Sequence, residues 1–189
     1  RMDHHLLPDG VERVLVTGGA GFIGGAVVRA LLQRSSARVF NLDKLGYASD
    51  LTSIQRLDGA AERHQLLQVD LVDAEATRAA VRQADPDLVL HLAAESHVDR
   101  SIDGPAAFLA SNVTGTFHLL EALRDHWQAL PQARQQRFRL HHISTDEVFG
   151  SLGEQGRFDE GTPYDPRSPY SATKAASDHL VRAWHHTYG

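Results

Sequence analysis

The stretch Val14-Leu15-Val16-Thr17-Gly18-Gly19-Ala20-Gly21-Phe22-Ile23-Gly24 decides the fold, because an apolar run that predicts a β-strand leads directly into a glycine-rich turn. The glycines at positions 18, 21 and 24 follow the pattern G-x-x-G-x-x-G, and a helix is predicted immediately after them. Gly18 permits the tight turn, Gly21 lets the backbone approach a pyrophosphate, and Gly24 lets the helix pack close to the strand. The free N–H groups and the positive dipole end of that helix favour a bound phosphate.

Outward from this turn, short β-rich runs alternate with amphipathic stretches, which is typical of a parallel α/β sheet. The predicted strands are Val14–Thr17, Arg38–Leu42, Gln65–Val69, Leu88–Leu92 and Phe138–Ile143. The predicted helices are Ile23–Gln33, Ala74–Gln83, Ala106–Trp127 and Tyr170–Tyr188. An apolar stripe in the third helix consists of Phe108, Val113, Phe117, Leu120 and Leu123. We therefore predict a doubly wound parallel sheet, the dinucleotide-binding Rossmann fold, as one domain over residues 11–189 after a flexible segment at residues 1–10.

Composition excludes several classes of function. The 189 residues suffice for one domain, and 42% hydrophobic with 23% charged residues is an ordinary balance for a globular chain. The net charge of −5 without a basic run speaks against a nucleic-acid partner, and no apolar stretch approaches the roughly 18 residues of a membrane helix. The lack of cysteine excludes disulfides and fits a reducing cytoplasm, the location that we expect. Histidines form adjacent pairs such as His141-His142, whose side chains diverge, so no metal site is predicted.

A carboxylate ends the second predicted strand, where the adenosine ribose of a bound dinucleotide lies. Asp43 follows Gly18 by about 25 residues, near the usual distance in such folds. Asp43 would accept hydrogen bonds from the ribose hydroxyls and repel a 2′-phosphate, so it favours NAD over NADP, although Lys44 beside it weakens that preference. Asp70 ends the third strand, where it either contacts the adenine or caps the next helix.

Tyr170 and Lys174 form a Y-x-x-x-K pair, four residues apart and therefore on one face of the predicted helix. A tyrosine with its ordinary pKa of about 10 is a poor base at neutral pH. We expect the Lys174 ammonium, one helical turn away, and the charge of a bound nicotinamide to lower the pKa of Tyr170. Downstream of a glycine cradle and five predicted strands, the pair indicates a proton-transfer site.

Together these motifs resemble the extended short-chain dehydrogenases/reductases that act on sugar nucleotides. The resemblance covers essentially the whole chain from Val11 onward. It is carried by Thr17–Gly24, Leu92–Ala94, Asn112, Tyr170 and Lys174. It implies NAD as the cofactor and a sugar nucleotide as the substrate.

The acidic pair Asp146-Glu147 makes the resemblance more specific. Two adjacent acids leave the C-terminal end of the fifth predicted strand, where α/β folds bind ligands. Ser144–Val148 and Glu95–Ser101 resemble the hexose-nucleotide 4,6-dehydratases, whereas related epimerases usually carry small neutral residues in place of the two acids. The resemblance implies dehydration of dTDP-glucose, with a sugar-nucleotide 4-epimerase and a catalytically silent NAD-binding module as the alternatives. It leaves open whether the nucleotide is dTDP or UDP.

The resemblance also implies a role for each catalytic residue. Tyr170, supported by Lys174, takes the proton of the sugar 4-hydroxyl while carbon 4 gives a hydride to NAD. Glu147 then removes the proton on carbon 5, and Asp146, in its protonated form, gives a proton to the leaving carbon-6 hydroxyl before the hydride returns to carbon 6. Neighbouring carboxyl groups can hold such different protonation states. Thr145 hydrogen-bonds the 4-hydroxyl.

Further contacts are implied at the ends of the strands and in the helices. The implied cofactor-binding residues are Gly18, Gly21, Phe22, Ile23, Gly24, Asp43, Lys44, Leu45, Gly46, Asp70, Leu71, Leu92, Ala93, Ala94, Glu95, Ser96, Ser111, Tyr170 and Lys174. The implied substrate contacts are Ser96 and Thr145. Two residues depart from the family pattern, since Phe149 stands where tyrosine is common and Ser111 where threonine is common.

Three expectations concern assembly and extent. By resemblance, the helices Ala106–Trp127 and Tyr170–Tyr188 form the interface of a homodimer. The Gly150–Pro169 stretch is a long loop and is therefore predicted to be functional, as a lid or a substrate wall. Family members continue with a substrate-binding lobe, so we expect that lobe to be largely missing from these residues and the working enzyme to extend beyond Gly189.

Overall fold

Residues 6–189, which a computed structural model describes, form a five-stranded parallel sheet with helices on both faces. The strands are β1 Arg13–Thr17, β2 Arg38–Asp43, β3 His64–Gln68, β4 Leu88–His91 and β5 Arg139–His142. Their order is β3-β2-β1-β4-β5, and every pair of neighbouring strands in it is parallel. The predicted doubly wound parallel sheet is confirmed, and each predicted strand is present to within one residue at either end.

The helices complete the alternation of strands and helices. In the described part of the chain they are α1 Phe22–Arg34, α2 Thr52–Gln55, α3 Ala60–Arg63, α4 Ala74–Ala84, α5 Val98–Asp103, α6 Pro105–Phe108, α7 Gly115–Ala129, α8 Gln132–Arg137 and α9 Pro169–Tyr188. A π-helical segment, Leu109–Thr114, joins α6 to α7, and a 3₁₀ turn, Asp146–Phe149, follows β5. The predictions of α1, α4 and α9 are confirmed. The sequence does not predict the helices of one or two turns, because such short segments carry too little periodicity.

Apolar side chains cover both faces of the sheet. On one face Leu15 belongs to a cluster with residues of α4 and α7, and on the other Val14 and Val16 belong to a cluster with residues of α1. Consecutive residues of β1 therefore alternate between two buried layers. This central position explains why β1 is an unbroken apolar run rather than an alternating one.

The predicted flexible segment at residues 1–10 lies partly outside the described residues, which begin at Leu6. Leu6 and Leu7 pack against the apolar cluster on the α1 face of the sheet. The backbone then turns, and the Val11 N–H donates to the Pro8 carbonyl at 3.3 Å. From Leu6 onward, this segment is attached to the core.

The prediction of a single α-helix over Ala106–Trp127 is wrong, because the π-helical segment interrupts it. The segment ends with a bond from the Gly115 N–H to the Ala110 carbonyl, so one extra residue enters the turn. The extra residue rotates the side chains of α7 around the helix axis, so that Thr116 instead of Phe117 faces the sheet. Thr116 is 2% exposed, whereas Phe117 is 40% exposed. The predicted apolar stripe is confirmed at Phe108, Leu120 and Leu123.

Candidate active site

The glycine-rich turn between β1 and α1 has the geometry of a phosphate-binding cradle. Gly18 has a φ of 74°, in the left-handed region, and a Cβ there would lie 2.8 Å from the Ala93 backbone. At Gly24 a Cβ would overlap the Gly18 carbonyl oxygen and lie 2.7 Å from the Gly18 carbonyl carbon. Helix α1 can therefore pack this closely on the turn only if residue 24 has no side chain. Gly21 precedes α1 as its N-cap with no side-chain cap, which leaves the N–H groups of the first turn available to a ligand.

Asp43 ends β2 beside this cradle and is part of its framework. Its carboxylate accepts hydrogen bonds from the backbone N–H of Ala20 at 3.0 Å and of Leu45 at 2.8 Å, and from the Ser49 hydroxyl at 3.3 Å. The side chain is largely buried, at 8% exposure of the residue. Asp43 therefore fixes the glycine turn against the loop after β2, and its oxygens retain acceptor sites for a further donor.

An ion pair connects the loops after β2 and β4 across the end of the sheet. Lys44 Nζ lies 2.5 Å from Glu95 Oε1. Burial lowers the pKa of Lys44, but the bond to Glu95 and the charges of Asp70 and Asp43 outweigh burial and raise that pKa. Two segments that are predicted to hold the cofactor are thereby attached to each other.

Of the two alternatives for Asp70, the structure rejects the helix cap. Helix α4 starts at Ala74, so its cap is Asp73, whose carboxylate accepts from the Ala76 N–H at 3.0 Å. Asp70 instead accepts from the Val72 N–H within its own turn at 3.1 Å, and it is exposed at the end of β3. Leu71, also predicted at the site, packs into the core at 6% exposure, so its side chain is not available to a cofactor.

The segment after β4 is held by its backbone. The N–H groups of Leu92 and Ala93 both donate to the Thr17 hydroxyl at 3.1 Å. Asn112, in the π-helical segment, accepts from the Glu95 N–H at 2.9 Å and donates to the Glu95 carbonyl at 3.1 Å. The other predicted cofactor residues are exposed or partly exposed, and they are Phe22, Ile23, Leu45, Gly46, Ala94, Ser96 and Ser111.

Tyr170, in the first turn of α9, lies close to three of the other predicted catalytic residues. It is 8% exposed. Burial raises the pKa of Tyr170, the hydrogen bond with Thr145 lowers it, and the carboxylates of Glu147 and Asp146 raise it further, so the pKa lies above its ordinary value. In the protein alone the phenol has buried and negatively charged surroundings, so the lowering of this pKa that we expect with a bound nicotinamide stays a prediction.

The acidic pair begins the 3₁₀ turn after β5. Thr145 caps this turn, since its hydroxyl accepts from the Glu147 N–H at 3.3 Å. Asp146 and Glu147 are both exposed at the C-terminal end of β5, where a ligand can reach their carboxylates. Phe149, at the end of the turn, packs on Phe158 and Tyr164 of the Gly150–Pro169 loop, with ring centroids 5.4 Å away in both cases.

Lys174 is held by a hydrogen bond at the end of β5, just before the 3₁₀ turn. It is 5% exposed, and its Nζ donates to the Ile143 carbonyl, immediately after β5, at 2.8 Å. Burial lowers the pKa of Lys174, and the Asp178 carboxylate acts in the opposite direction. The structure therefore places the predicted lysine beside the end of β5 and buries it more deeply than the sequence suggests.

Three buried polar residues behind the site are missed by the sequence analysis: His91, His142 and Asp178. His91 and His142 are paired neighbours at the ends of β4 and β5, and their ring centroids lie 5.4 Å apart. His142 Nε2 lies 2.8 Å from Asp178 Oδ1. The one signal in the sequence is the spacing of Lys174 and Asp178, which are four residues apart on one helix and therefore share a face.

His91 gives the stability of the chain a pH dependence. It is 2% exposed, with its ring nitrogens 2.6 Å and 3.0 Å from the hydroxyls of Thr17 and Thr116. Burial, together with the charges of His142 and Lys174, lowers the pKa of His91 well below 6.5. The unfolded chain therefore binds a proton at His91 that the folded chain does not bind. Its contribution to stability is complete above about pH 6.5 and is lost as the pH falls below that value.

We expect the free energy of unfolding, measured with urea, to decrease by about 1 kcal/mol per pH unit below pH 6.5 on account of this group. His91→Gln should flatten that slope. His141→Gln, at the exposed neighbour of His142, is the matched control and should leave the slope unchanged. An identical slope in wild type and His91→Gln would contradict the assignment.

Residues 6–189 contain no group of three or more His, Cys, Asp or Glu side chains that could hold a metal ion. Among the helices of the same residues, none combines the length and the apolar character needed to cross a bilayer.

Comparison with known proteins identifies relatives of the chain. Residues 15–189 match the family model described as GDP-mannose 4,6 dehydratase. The dTDP-glucose 4,6-dehydratase of Xanthomonas campestris pv. campestris is 57% identical over 175 residues, which are 93% of this chain and 49% of that protein. The dTDP-glucose 4,6-dehydratase 1 of Escherichia coli K12 is 52% identical over 186 residues, and the match covers 94% of this chain and 51% of that protein. The chain spans about half the length of these curated relatives.

Solved structures share the architecture. DesIV, a dTDP-glucose 4,6-dehydratase from Streptomyces venezuelae with NAD and TYD bound, is 42% identical with a TM-score of 0.81, at 94% coverage of this chain and 52% of that one. The UDP-glucose 4-epimerase of Thermus thermophilus in complex with NAD is 34% identical with a TM-score of 0.79, at the same coverages of 94% and 52%. Because the family model matches nearly all of the described residues, the chain belongs to the GDP-mannose 4,6-dehydratase family.

Proposed function

We propose that the whole protein dehydrates dTDP-glucose to dTDP-4-keto-6-deoxyglucose with NAD as a resident cofactor. The observation that carries the proposal is the juxtaposition of Tyr170 with the acidic pair Asp146-Glu147 at the C-terminal end of β5. Dehydration moves protons at the 4-hydroxyl, at carbon 5 and at the leaving oxygen, and this group offers one side chain for each. Relatives with 57% and 52% identity are named for this reaction.

The residues present fit NAD. Gly18 and Gly24 leave no room for a Cβ, and the uncapped first turn of α1 offers N–H groups to a pyrophosphate. We infer that Asp43 binds the adenosine ribose and that Tyr170 and Lys174 bind the nicotinamide end. Related structures are described with NAD. When bound, NAD supplies reversible hydride transfer, from carbon 4 at the start of the reaction and to carbon 6 at its end.

Tyr170 is the base for the 4-hydroxyl, and Thr145 orients that hydroxyl. Because the pKa of Tyr170 is raised in the protein alone, its ionisation needs positive charge nearby. The Lys174 ammonium and the positively charged nicotinamide ring have the required sign. Glu147 removes the proton of carbon 5, and Asp146 protonates the carbon-6 hydroxyl, which leaves as water. Glu147 then returns its proton to carbon 5.

The substrate contacts extend this site. We propose that Ser96, exposed after β4, contacts the sugar and that the Gly150–Pro169 loop forms a wall of the cleft. The packing of Phe149 against Phe158 and Tyr164 supports that role, because it attaches the loop to the turn that carries the acidic pair. Residues 11–189 would then form one dinucleotide-binding domain that also carries the catalytic residues.

Incubation of the whole protein with dTDP-glucose tests the proposal. A 4-keto-6-deoxy product is the expected result. Formation of the galactose epimer would replace the proposal with a 4-epimerase, and NAD binding without turnover would indicate a catalytically silent NAD-binding module.

Asp43→Ala is expected to weaken NAD binding by about 1–3 kcal/mol, the scale for losing hydrogen bonds to a charged group. The melting temperature should also fall, because Asp43 bonds to Ala20 and Leu45. Calorimetric titration measures the NAD affinity. Asp43→Asn keeps one acceptor oxygen and therefore helps to separate the loss of NAD affinity from the loss of stability. Asp50→Ala, at an exposed acid of the same loop, is the control. Unchanged NAD affinity in folded Asp43→Ala would reject this placement of the ribose.

The whole protein is expected to be a homodimer through the π-helical segment, α7 and α9. These helices present exposed apolar side chains, with Leu109 at 55%, Phe117 at 40% and Tyr188 at 39% exposure. The rings of Phe117 and Tyr188 contact Trp184 between them, at 5.9 Å and 5.7 Å. Light scattering at micromolar concentration should show a dimer that Phe117→Glu dissociates, while Val72→Glu, at a residue also 40% exposed, should leave it intact. A monomeric wild type would contradict the interface.

A further inference from the structure

A buried carboxylate lies one helical turn beyond the lysine of the site. Asp178 is 5% exposed and accepts three hydrogen bonds, from His142 Nε2 at 2.8 Å, from the Ser144 hydroxyl at 2.5 Å and from the Tyr164 hydroxyl at 2.9 Å. Burial alone would raise the pKa of Asp178, but these three bonds outweigh burial and lower it. The group is therefore a negative charge inside the protein, which is rare without a matching positive charge.

Besides His142, whose Nε2 lies 2.8 Å from Asp178 Oδ1, the group that can match this charge is Lys174. It is also 5% exposed, it precedes Asp178 by one turn of α9, and its Nζ has the Ile143 carbonyl as an acceptor. A carbonyl bond alone does not compensate the burial of an ammonium ion. The Asp178 carboxylate favours the charged form of Lys174. Because the two residues are buried and lie one helical turn apart, Asp178 is the carboxylate of α9 that favours an ammonium ion at Lys174.

Other titratable groups also face this pair. His142 and His91 come from β5 and β4, Tyr164 from the Gly150–Pro169 loop, and Tyr170 from α9 itself. The pKa of His91 lies well below 6.5 because of burial, so that ring is neutral at physiological pH and adds no positive charge. The pKa of Tyr164 is raised by burial and by Asp178, so that phenol stays neutral too.

The three donors to Asp178 belong to different parts of the site. His142 ends β5, and Ser144 is the residue directly before Thr145 and the acidic pair. Tyr164 belongs to the long loop, where the next residue, Asp165, donates its N–H to the Val148 carbonyl of the 3₁₀ turn at 2.9 Å. One carboxylate therefore joins the sheet, the acid-bearing turn and the loop to the helix that carries Tyr170 and Lys174.

We propose that Asp178 is a positioning residue, which holds Lys174 as an ammonium ion and fixes the acidic pair relative to the helix of Tyr170 and Lys174. The first role depends only on the folded protein. The second role rests on the proposed dehydratase function, because it concerns the groups that act on the sugar. Asp178 does not touch the reacting atoms in this scheme, and it acts through Lys174 and through the turn that begins at Ser144.

Lysine titration tests the first role without any assay of activity. Lys44 and Lys174 are the only lysines among these 189 residues, so carbon-13 labelling of lysine gives a side-chain NMR signal set for each, and Lys174→Arg and Lys44→Arg identify the two sets in the whole protein. In Asp178→Asn, which preserves shape, Lys174 should lose its proton at a lower pH than in wild type, while Lys44 is unaffected. Asp125→Asn removes an exposed carboxylate that pairs with Arg78 and should move neither signal. An unchanged Lys174 titration in folded Asp178→Asn overturns this role.

Kinetics of the whole protein test the second role. Asp178→Asn should lower kcat with dTDP-glucose by about tenfold or more, keep KM and NAD affinity within about threefold, and move the high-pH limb of the kcat profile to lower pH. A variant that melts earlier but keeps the wild-type kcat and pH profile would show a merely structural role and overturn the proposal.

A second variant covers the case in which Asp178→Asn does not fold. Tyr164→Phe keeps the carboxylate and the ring packing but removes one donor, and it should lower kcat by about fivefold while NAD affinity is unchanged. A normal kcat in Tyr164→Phe overturns the second role. If the wild type itself has no turnover, the proposed function fails, whereas the lysine titration still decides whether Asp178 is the counter-ion of Lys174.

Discussion

Glu147→Gln of the whole protein is expected to bind dTDP-glucose and NAD normally but to stop before water is eliminated. Glutamine has the size of glutamate but cannot accept the proton of carbon 5, and the loss of a general base costs about 10²–10⁴-fold in rate. Tyr170 and Lys174 are intact, so oxidation at carbon 4 still proceeds. The absorbance of the reduced cofactor should therefore rise on addition of the sugar nucleotide and persist, and deuterium from the solvent should not enter carbon 5.

The control for this experiment is Glu75→Gln, which changes an exposed acid in α4, outside the proposed site. Glu75→Gln should turn over at the wild-type rate and incorporate deuterium at carbon 5. Normal turnover with deuterium at carbon 5 in Glu147→Gln would mean that another group is the base.

Gly24→Ala is expected to destabilise the fold by about 3 kcal/mol, the upper part of the range for overpacked sites. The added Cβ would overlap the Gly18 carbonyl oxygen and approach the Gly19 Cα to 3.0 Å. Both neighbours are backbone atoms of the cradle, so neither can rotate away as a side chain would. Urea unfolding measures the loss, and NAD titration of the folded fraction should show weakened binding because α1 is displaced from the turn.

The adjacent Gly25→Ala is the matched control, because Gly25 is also buried in α1 but its closest neighbour is the Arg29 guanidinium, at 3.3 Å. That flexible group can move, and alanine favours a helix over glycine by about 0.5–1 kcal/mol. Gly25→Ala should therefore be neutral or stabilising. Equal stabilities of the two variants would show that the close packing of α1 on the cradle is not required.

The strands could be predicted because their signal is local. β1 and β4 are short apolar runs bounded by polar residues, and burial on both faces makes such runs easy to recognise. The π-helical segment could not be predicted, because it depends on bonds from Asn112 to Glu95 and to Thr173, residues that only the fold brings close. Propensity along one helix contains no information about such partners.

The candidate site, too, could be predicted from the sequence only in part. The family resemblance, which rests on the glycine pattern, the Tyr170/Lys174 spacing and the Asp146-Glu147 pair, is confirmed by the family match. The pKa of Tyr170 could not be read from spacing, since burial and two carboxylates from a different element decide its direction. Asp178 was missed for a related reason, because its partners come from β5, the segment after it and the long loop.

The π-helical segment also limits how the length of this region can vary in evolution. Deleting one residue between Leu109 and Thr114 would restore a continuous α-helix and rotate everything after it by about 100° around the helix axis. Phe117 would then turn towards the sheet and Leu119 away from it, with the loss of a side chain that is now fully buried. Asn112 would at the same time lose its alignment with the Glu95 backbone. Functional descendants of this sequence should therefore keep the residue count of this helix while its individual residues change.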